Sequence, residues 1–347
     1  MIRINSKNWL LAALMALVVL GLSLQPVAAA PKVYKLKIQT FQGPSDNWTN
    51  LTAIEFLKRC EDRSNGRLKL LPLLDVGSVC SAGGILDAVG TGVLDAGYTC
   101  SVYYMGKVPT AAVDYGLPYS WKNLYEAHEV VYKRGLIDVV RKDWARHNVR
   151  YVAYVGSTAL TWFTKKNPIR VAEDFKGRKL RVTGASQYAP KKLGASIVKV
   201  SYPELYTALQ QGVIDGCLTI QDALTTLNFR EVVDYLMLPP VLIDAVCFLM
   251  NMDTWNSLPK DLQEIIEDEA LRFSYANYVK SQYEELRSIE KAAEMGVKVV
   301  HMDPELVKQL EKISIEEGWS WVASLSPISA EAVKIIDNYF RELGRIK

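Results

Sequence analysis

The sequence has few histidines and lacks the motifs that identify the common enzyme and metalloprotein classes. Its three histidines lie far apart, at His128, His147 and His301, and its five cysteines form no CxxC pair. No GxSxG, GxxxxGKS/T or HExxH motif occurs, and no GxGxxG follows a strand-like run. We therefore expect neither a zinc site nor a nucleotide-binding loop, and the sequence predicts a protein that is not an enzyme and uses no metal or cofactor.

The chain also lacks a strong charge excess and, after its first thirty residues, any long apolar run. Lysine and arginine number 41 against 38 aspartates and glutamates, which gives a formal net charge of +3. The charge falls to +1 when Arg3 and Lys7 leave with the leader described below. Nucleic acid and anionic membrane surfaces are therefore not expected partners, and no later stretch is apolar enough to span a bilayer.

The sequence begins with the features of an export signal. Residues 1–30 combine Arg3 and Lys7 with a nearly unbroken apolar run over 10–24 and small residues at the end. This order is typical of a secretory signal peptide, and roughly fifteen apolar residues are fewer than the ~20 of a membrane-spanning helix. We expect cleavage at Ala29–Ala30, a mature chain of about 317 residues and a periplasmic location.

Strand-like and helix-like segments alternate along the mature chain. The expected elements are a strand over Lys35–Thr40, a helix capped by Ser45 or Asp46 and ending at Arg63, a strand over Arg67–Leu74, a helix over Gly84–Gly92 and a strand over Val93–Thr99. This alternation predicts an α/β fold with a mostly parallel sheet and helices on both faces.

One local pattern occurs twice. In the segments 86–96 and 205–216, a helix stops at glycine and a strand opens with Val, an aliphatic residue and Asp. Such a repeat predicts two similar lobes. Because ligands collect at strand ends in sheets of this kind, Thr99–Ser101 and Leu218–Gln221 should face each other across a cleft.

A long helix is expected over 258–296. Ser257 can cap it, Pro259 suits its first turn, and apolar residues recur at helical spacing as far as Ile289. Roughly 35 residues at a rise of about 1.5 Å each give ~50 Å, more than the ~30 Å of one small domain. We therefore expect this helix to bridge both lobes.

The segment Ala172–Ile220 carries the most specific chemistry. Within it, strand alternation places Arg181 between the apolar neighbours Leu180 and Val182. The planar guanidinium group of an arginine matches a carboxylate with two hydrogen bonds. An internal salt bridge would explain the same residue equally well, and the residues alone leave both interpretations open.

The run AEDFKGRKLRV, followed by LGASIVKVSYPELYTALQQGVIDG, resembles the signature of the DctP-type solute receptors of tripartite ATP-independent periplasmic (TRAP) transporters. The similarity extends in order over essentially the whole mature chain, including Arg63–Leu68 and Trp255–Pro259. It implies a two-lobed periplasmic binding protein fold, a long helix spanning both lobes, and a monomeric receptor that delivers a small organic acid to the membrane subunits of the transporter. The expected division is a first lobe of 31–158 with about 246–288 and a second lobe of 159–245 with about 289–347.

The resemblance also implies which residues bind the ligand. Arg181 stands where the family has its carboxylate-binding arginine, and Tyr202 stands at an aromatic position of the cavity. The other positions that the resemblance implies are Cys100 and Ser101 after the third strand, Gln42 after the first strand, and Thr219, where receptors of sugar acids often have Asn.

One departure from the family pattern bears on the ligand. Many relatives have a second arginine about twenty residues before the first, and here Thr161 stands at that place, followed by Trp162. A second anionic group would lose its hydration without a partner, whereas Trp162 offers aromatic surface. We therefore favour an aromatic or bulky apolar monocarboxylate as the ligand bound by Arg181. A C4-dicarboxylate or a sugar acid stays open, as does a receptor that feeds a signalling protein.

Two further expectations concern the class of receptor and the cysteines. Receptors of ATP-driven transporters usually join their lobes by short strands, and the long helix argues against that class. The resemblance places Cys80 and Cys100 beside the same end of the cleft, and the periplasm can oxidise them. A Cys80–Cys100 disulfide is therefore expected.

Overall fold

The structure is a computed structural model that describes residues 31–43 and 48–346. The predicted signal peptide and the expected helix cap at Ser45 or Asp46 lie outside the described residues. From Tyr34 onward the chain forms one compact unit.

Eleven strands and thirteen α-helices occur in the described part of the chain. The strands are β1 (Tyr34–Lys35), β2 (Ile38–Thr40), β3 (Leu68–Lys69), β4 (Leu73–Leu74), β5 (Ala96–Thr99), β6 (Val149–Thr164), β7 (Lys179–Arg181), β8 (Ser196–Ile197), β9 (Gly216–Ile220), β10 (Tyr235–Asn251) and β11 (Lys298–His301). The helices are α1 (Trp48–Arg63), α2 (Ile85–Gly90), α3 (Ala111–Asp114), α4 (Leu124–His128), α5 (Leu136–Ala145), α6 (Tyr188–Lys192), α7 (Leu205–Gln210), α8 (Ala223–Thr226), α9 (Met252–Ser257), α10 (Lys260–Ala292), α11 (Pro304–Ile313), α12 (Ser320–Ser324) and α13 (Pro327–Glu342).

The strands form one nine-stranded sheet and a separate two-stranded ribbon. The order in the large sheet is β4-β2-β5-β10-β6-β9-β7-β8, with β11 beside β10, and β1 pairs with β3 in the ribbon. Strands β6 and β10 are antiparallel and have 16 and 17 residues. On one side of this pair, β4, β2 and β5 are parallel to one another, and on the other side β9, β7 and β8 are parallel to one another. The mostly parallel sheet is therefore confirmed, and two long antiparallel strands join its halves.

Two of the predicted strands are each divided in the structure. The segment Lys35–Thr40 is split between β1 and β2, and Arg67–Leu74 is split between β3 and β4. Pro72 precedes β4, and because proline has no amide hydrogen it cannot continue a strand ladder. The first halves of both segments pair in the ribbon, and the second halves enter the large sheet.

The long helix is confirmed as α10, which has 33 residues and hence a length of ~50 Å. Three of its polar side chains hold one short stretch of β6. Asn277 Nδ2 donates to the Gly156 carbonyl at 2.8 Å, and Ser281 Oγ donates to the Ser157 carbonyl at 3.1 Å. Glu285 Oε1 accepts from the Ala159 amide at 2.5 Å. Because these side chains are four residues apart, one face of α10 follows β6 through the point where its register with β10 shifts.

The boundaries of the lobes stay a prediction. The last helix, α13, packs against α5, which the expected division assigns to the first lobe. Trp319 Nε1 also donates to the Pro118 carbonyl at 3.0 Å. The end of the chain therefore contacts residues that precede the long strand β6.

Candidate ligand-binding site

Arg181 ends the short strand β7 and is 9% exposed. Its Nε donates to the Val200 carbonyl at 3.1 Å and its Nη1 to the Leu218 carbonyl at 3.4 Å. A guanidinium group has five N–H donors, so three are left over. No carboxylate of the described chain forms a salt bridge with Arg181. Of the two interpretations that the sequence allowed for this arginine, the internal salt bridge is therefore not observed. A buried cation with unused donors is suited to bind an anion.

The residues that follow β5 lie close to Arg181. Burial raises the pKa values of Cys100, Tyr103 and Tyr115, and the positive charge of Arg181 opposes the rise at each of them. A contact with the Thr183 side chain also lowers the pKa of Tyr115. The ends of β5 and β7 therefore approach one another, as expected of two strand ends that border a cleft.

Three buried carboxyl groups lie within electrostatic range of one another. Burial raises the pKa of Asp222 to about 6 and that of Glu285 to about 7. Burial raises the pKa of Asp244 well above its ordinary value, and the charges of Asp222 and Glu285 raise it further. Asp222 Oδ2 accepts a hydrogen bond from Trp48 Nε1 at 2.9 Å. Within the described residues, Oδ1 of Asp222 and Oδ1 of Asp244 have no hydrogen-bond partner.

Little in the sequence points to these acids. Asp244 is the single charged residue in the apolar run from Val241 to Met250, and that isolation was the available signal. Acids of this kind usually occupy capping or surface positions, but Asp244 is only 6% exposed. Asp222 and Glu285 have no comparable signal, because only the fold brings them towards Asp244.

Two of the predicted ligand residues lie elsewhere than expected. Trp162 is 1% exposed and packs edge-on against Phe175, with ring centroids 5.6 Å apart, in the core of the sheet. Thr161 is fully buried and donates its hydroxyl to the Met237 carbonyl. Since β6 is buried on both faces, Trp162 packs among apolar neighbours and Thr161 bonds to a backbone acceptor, and their part in ligand binding stays a prediction.

The remaining predicted residues are placed as follows. Cys100 and Ser101 are buried beside β10, where Cys100 Sγ lies 3.8 Å from the Ala245 carbonyl and Ser101 Oγ lies 3.5 Å from Cys247 Sγ. Thr219 is buried in β9. Tyr202 is half-buried, and burial followed by the charge of Asp222 raises its pKa. Gln42 is half-buried and accepts a hydrogen bond from Thr49.

The Cys80–Cys100 disulfide is absent, because all five cysteines are free thiols. Cys80 Sγ lies 3.5 Å from Gln39 Nε2, whereas Cys100 Sγ is directed at the Ala245 carbonyl. The two sulfur atoms therefore have different neighbours, although both belong to the same part of the fold.

The described residues contain no group of three or more His, Cys, Asp or Glu side chains that could hold a metal ion. Nor does any helix among them combine the length and the apolar character that crossing a bilayer requires.

The mostly parallel sheet whose halves are joined by two long antiparallel strands is the fold of the two-lobed solute receptors. The family model of bacterial extracellular solute-binding protein family 7 (DctP) matches residues 39–317, and the chain belongs to this family. Members of the family are receptors for solutes and not enzymes. TRAP receptors are periplasmic proteins that bind small organic acids and deliver them to the membrane subunits of the transporter.

Three relatives illustrate the similarity. The monocarboxylate 2-oxoacid-binding periplasmic protein of Nostoc is 28% identical over 288 residues, which are 80% of this chain and 76% of the relative. A TRAP periplasmic solute-binding protein from Rhodoferax ferrireducens, solved with bound malonate, has a TM-score of 0.81 at 18% identity and covers 90% of this chain and 100% of its own. A counterpart from Colwellia psychrerythraea, solved with calcium and pyruvate, has a TM-score of 0.79 at 22% identity, with coverages of 90% and 96%.

Proposed function

We propose that this protein is the monomeric receptor of a TRAP transporter and that it binds the carboxylate of a small monocarboxylic acid through Arg181. The observation that carries the proposal is that Arg181 is buried, has three N–H donors to spare and forms no salt bridge with the described residues. A bidentate carboxylate would use two of those donors and neutralise the charge. The leader would direct the protein across the inner membrane into the periplasm and be cleaved during export.

The buried acids support a ligand with a single carboxylate. Above a pH of about 6, the Asp222 carboxylate would repel a second negative group, and a desolvated anion without a partner is costly. The name of the Nostoc relative, a receptor of monocarboxylate 2-oxoacids, agrees with this choice. The Rhodoferax protein was solved with malonate, and dicarboxylates therefore belong among the compounds to be tested.

We further propose an aromatic or bulky apolar body for the ligand. Trp162 no longer supports this, because it lies in the core. Support comes from Tyr103, Tyr115 and Tyr202: the charge of Arg181 acts on the first two, and Tyr103 and Tyr202 lie within range of one another. Aromatic rings around a charged anchor favour a ligand with a ring or a branched chain.

The test compares two arginines of the same segment. Arg181→Ala should reduce the affinity for carboxylates by about 30-fold to several-thousand-fold, since losing one partner of a buried charged pair costs about 2–5 kcal/mol. Arg178→Ala is the matched control, because Arg178 binds the carbonyls of Asn167 and Pro168 at 2.8 and 2.9 Å and should leave affinity unchanged.

Isothermal titration with aromatic, aliphatic and dicarboxylic acids provides the readout, after the protein has been unfolded and refolded to remove co-purified ligand. A folded Arg181→Ala protein that binds its acid within about threefold of wild type would refute the carboxylate site. Binding of succinate or malate in the absence of any binding by aromatic acids would refute the proposed ligand class.

A further inference from the structure

Asp244 occupies a break in the central strand pair. The register of β10 with β6 pairs Ile243 with Ala159 and Ala245 with Gly156, so Asp244 lies opposite the two residues Ser157 and Thr158. Its side chain is 6% exposed, and no lysine, arginine or histidine of the described chain forms a salt bridge with it. The contact with the Ser157 side chain opposes the rise in its pKa but leaves Oδ1 without a hydrogen-bond partner.

Two unpartnered hydroxyl groups belong to the strands beside β10: Thr158 lies opposite Asp244, and Tyr98 pairs with Phe248, four residues further along β10. Tyr98 on β5 is fully buried and Thr158 on β6 is 1% exposed, and the hydroxyl of each has no hydrogen-bond partner within the described residues. The charge of Asp244 is the largest influence on the pKa of Tyr98 after burial, which places the Tyr98 hydroxyl in the field of the Asp244 carboxyl group. Buried polar atoms almost always have partners in native proteins. One carboxyl oxygen, Oδ1 of Asp244, and two hydroxyls that lack a partner point to a ligand group that supplies hydrogen-bond donors.

The same neighbours connect Asp244 with Arg181. The negative charge of Asp244 raises the pKa of Cys100, Tyr103 and Tyr115, and the positive charge of Arg181 lowers it at the same three residues. The Ala245 amide, next to Asp244, donates to the Tyr115 carbonyl at 3.0 Å, and Cys100 Sγ lies 3.8 Å from the Ala245 carbonyl, so the residues on which Arg181 acts also contact the neighbour of Asp244.

We propose that Asp244 binds an ammonium group of the ligand, so that the receptor takes an amino acid or a related zwitterion with its carboxylate on Arg181. This rests on the proposed function of Arg181. An ammonium group has three N–H donors, and Asp244, Tyr98 and Thr158 offer three acceptors. A metal ion fits less well, because it requires several oxygen ligands and no group of three ligating side chains exists in the described chain.

The test uses pairs of ligands that differ only in the amine, namely phenylalanine against 3-phenylpropanoate and leucine against 4-methylpentanoate. With the wild-type protein, the amino acid of a pair should bind about 30-fold or more tightly than its partner, as expected for a buried charged contact. Asp244→Asn should remove this preference and leave the affinity for the amine-free acid unchanged or improved. Arg181→Ala should weaken both members of each pair.

The outcomes separate this inference from the proposed function. If the amine-free acids bind in an Arg181-dependent way and the amine brings no gain, this inference is wrong and the carboxylate site stands. If 2-oxo acids bind only with added calcium or sodium and Asp244→Asn abolishes that requirement, Asp244 is a metal ligand, which also overturns the inference. If no carboxylate binds, both proposals fail. The comparison within each pair needs only wild-type protein and does not depend on how the variant folds.

Discussion

Replacing Glu285 by glutamine tests how burial and the hydrogen bond from the Ala159 amide together set the pKa of Glu285, at the contact between α10 and β6. The Glu285 carboxylate accepts the Ala159 amide at 2.5 Å, yet burial raises its pKa from 4.5 to about 7. Glutamine can accept the same hydrogen bond through its amide oxygen but does not ionise. The substitution therefore removes the titration and keeps the contact.

The sign of the effect follows from where the proton is held. Between pH 4.5 and about 7, the folded protein retains a proton on Glu285 that the unfolded chain has lost. The free energy of unfolding therefore falls as the pH rises through this interval and levels off above it. The difference between the pKa of Glu285 in the unfolded chain and in the folded protein corresponds to about 3 kcal/mol in the free energy of unfolding. Glu285→Gln should match wild type near pH 4.5 and exceed its stability by up to ~3 kcal/mol at pH 8.

Urea denaturation at several pH values between 4.5 and 8.5 measures this difference. Glu290→Gln, on the exposed face of the same helix, is the control and should follow the wild-type profile. Asp222 and Asp244 titrate in all three proteins, and because the charge of Glu285 raises the pKa of Asp244, the difference between profiles reports Glu285 together with its effect on Asp244. Parallel profiles for wild type and Glu285→Gln would show that the Ala159 amide, and not burial, determines the ionisation of Glu285.

Three further predictions test the cleft, the thiols and the strand crossing. Trp48→Phe removes the Nε1 donor to Asp222 and should weaken ligand binding by about 10- to 150-fold in titrations, since a hydrogen bond to a charged group contributes about 1.5–3 kcal/mol; unchanged affinity would mean that this bond does not favour the bound form. Thiol titration of denatured, unreduced protein should give five free thiols per chain, in line with the structure, and a count of three would contradict it. Gly156→Ala should lower stability by about 1–3 kcal/mol because its Cβ would collide with Leu124, whereas Gly83→Ala, with no atom within 4 Å of the added Cβ, should not; equal melting temperatures would refute the close approach.

The sequence was a good guide wherever a local pattern determines structure. The helical stripe predicted α10 because each turn of a long helix repeats the same requirement for apolar residues on one face. Arg181 was identified because an arginine between apolar neighbours in a strand is unusual. In both cases the information lies within a few residues of the feature that it predicts.

The sequence was a poor guide where a strand is buried on both faces. Fifteen of the sixteen residues of β6 are buried, so alternation between apolar and polar residues could not tell which face borders the ligand. Trp162 was therefore assigned to the cleft although it packs on Phe175. The prediction of a Cys80–Cys100 disulfide is wrong for a related reason. A disulfide requires a particular separation and orientation of the two cysteines, and nearness in the fold ensures neither.

The charges of the cleft indicate why ligand binding and closure should be coupled. Arg181 is buried without a carboxylate and Asp244 without a cation, so each is better solvated when the cleft is open. A ligand that brings the opposite charge to both ends removes these penalties only when the two sides meet around it. A change of about 1.4 kcal/mol in the free-energy difference between the open and closed forms changes their ratio tenfold. We therefore expect the open form to dominate without ligand. The contacts of the two ends of the ligand should therefore stabilise the closed form more than contacts within the protein do, such as the hydrogen bond between Trp48 and Asp222.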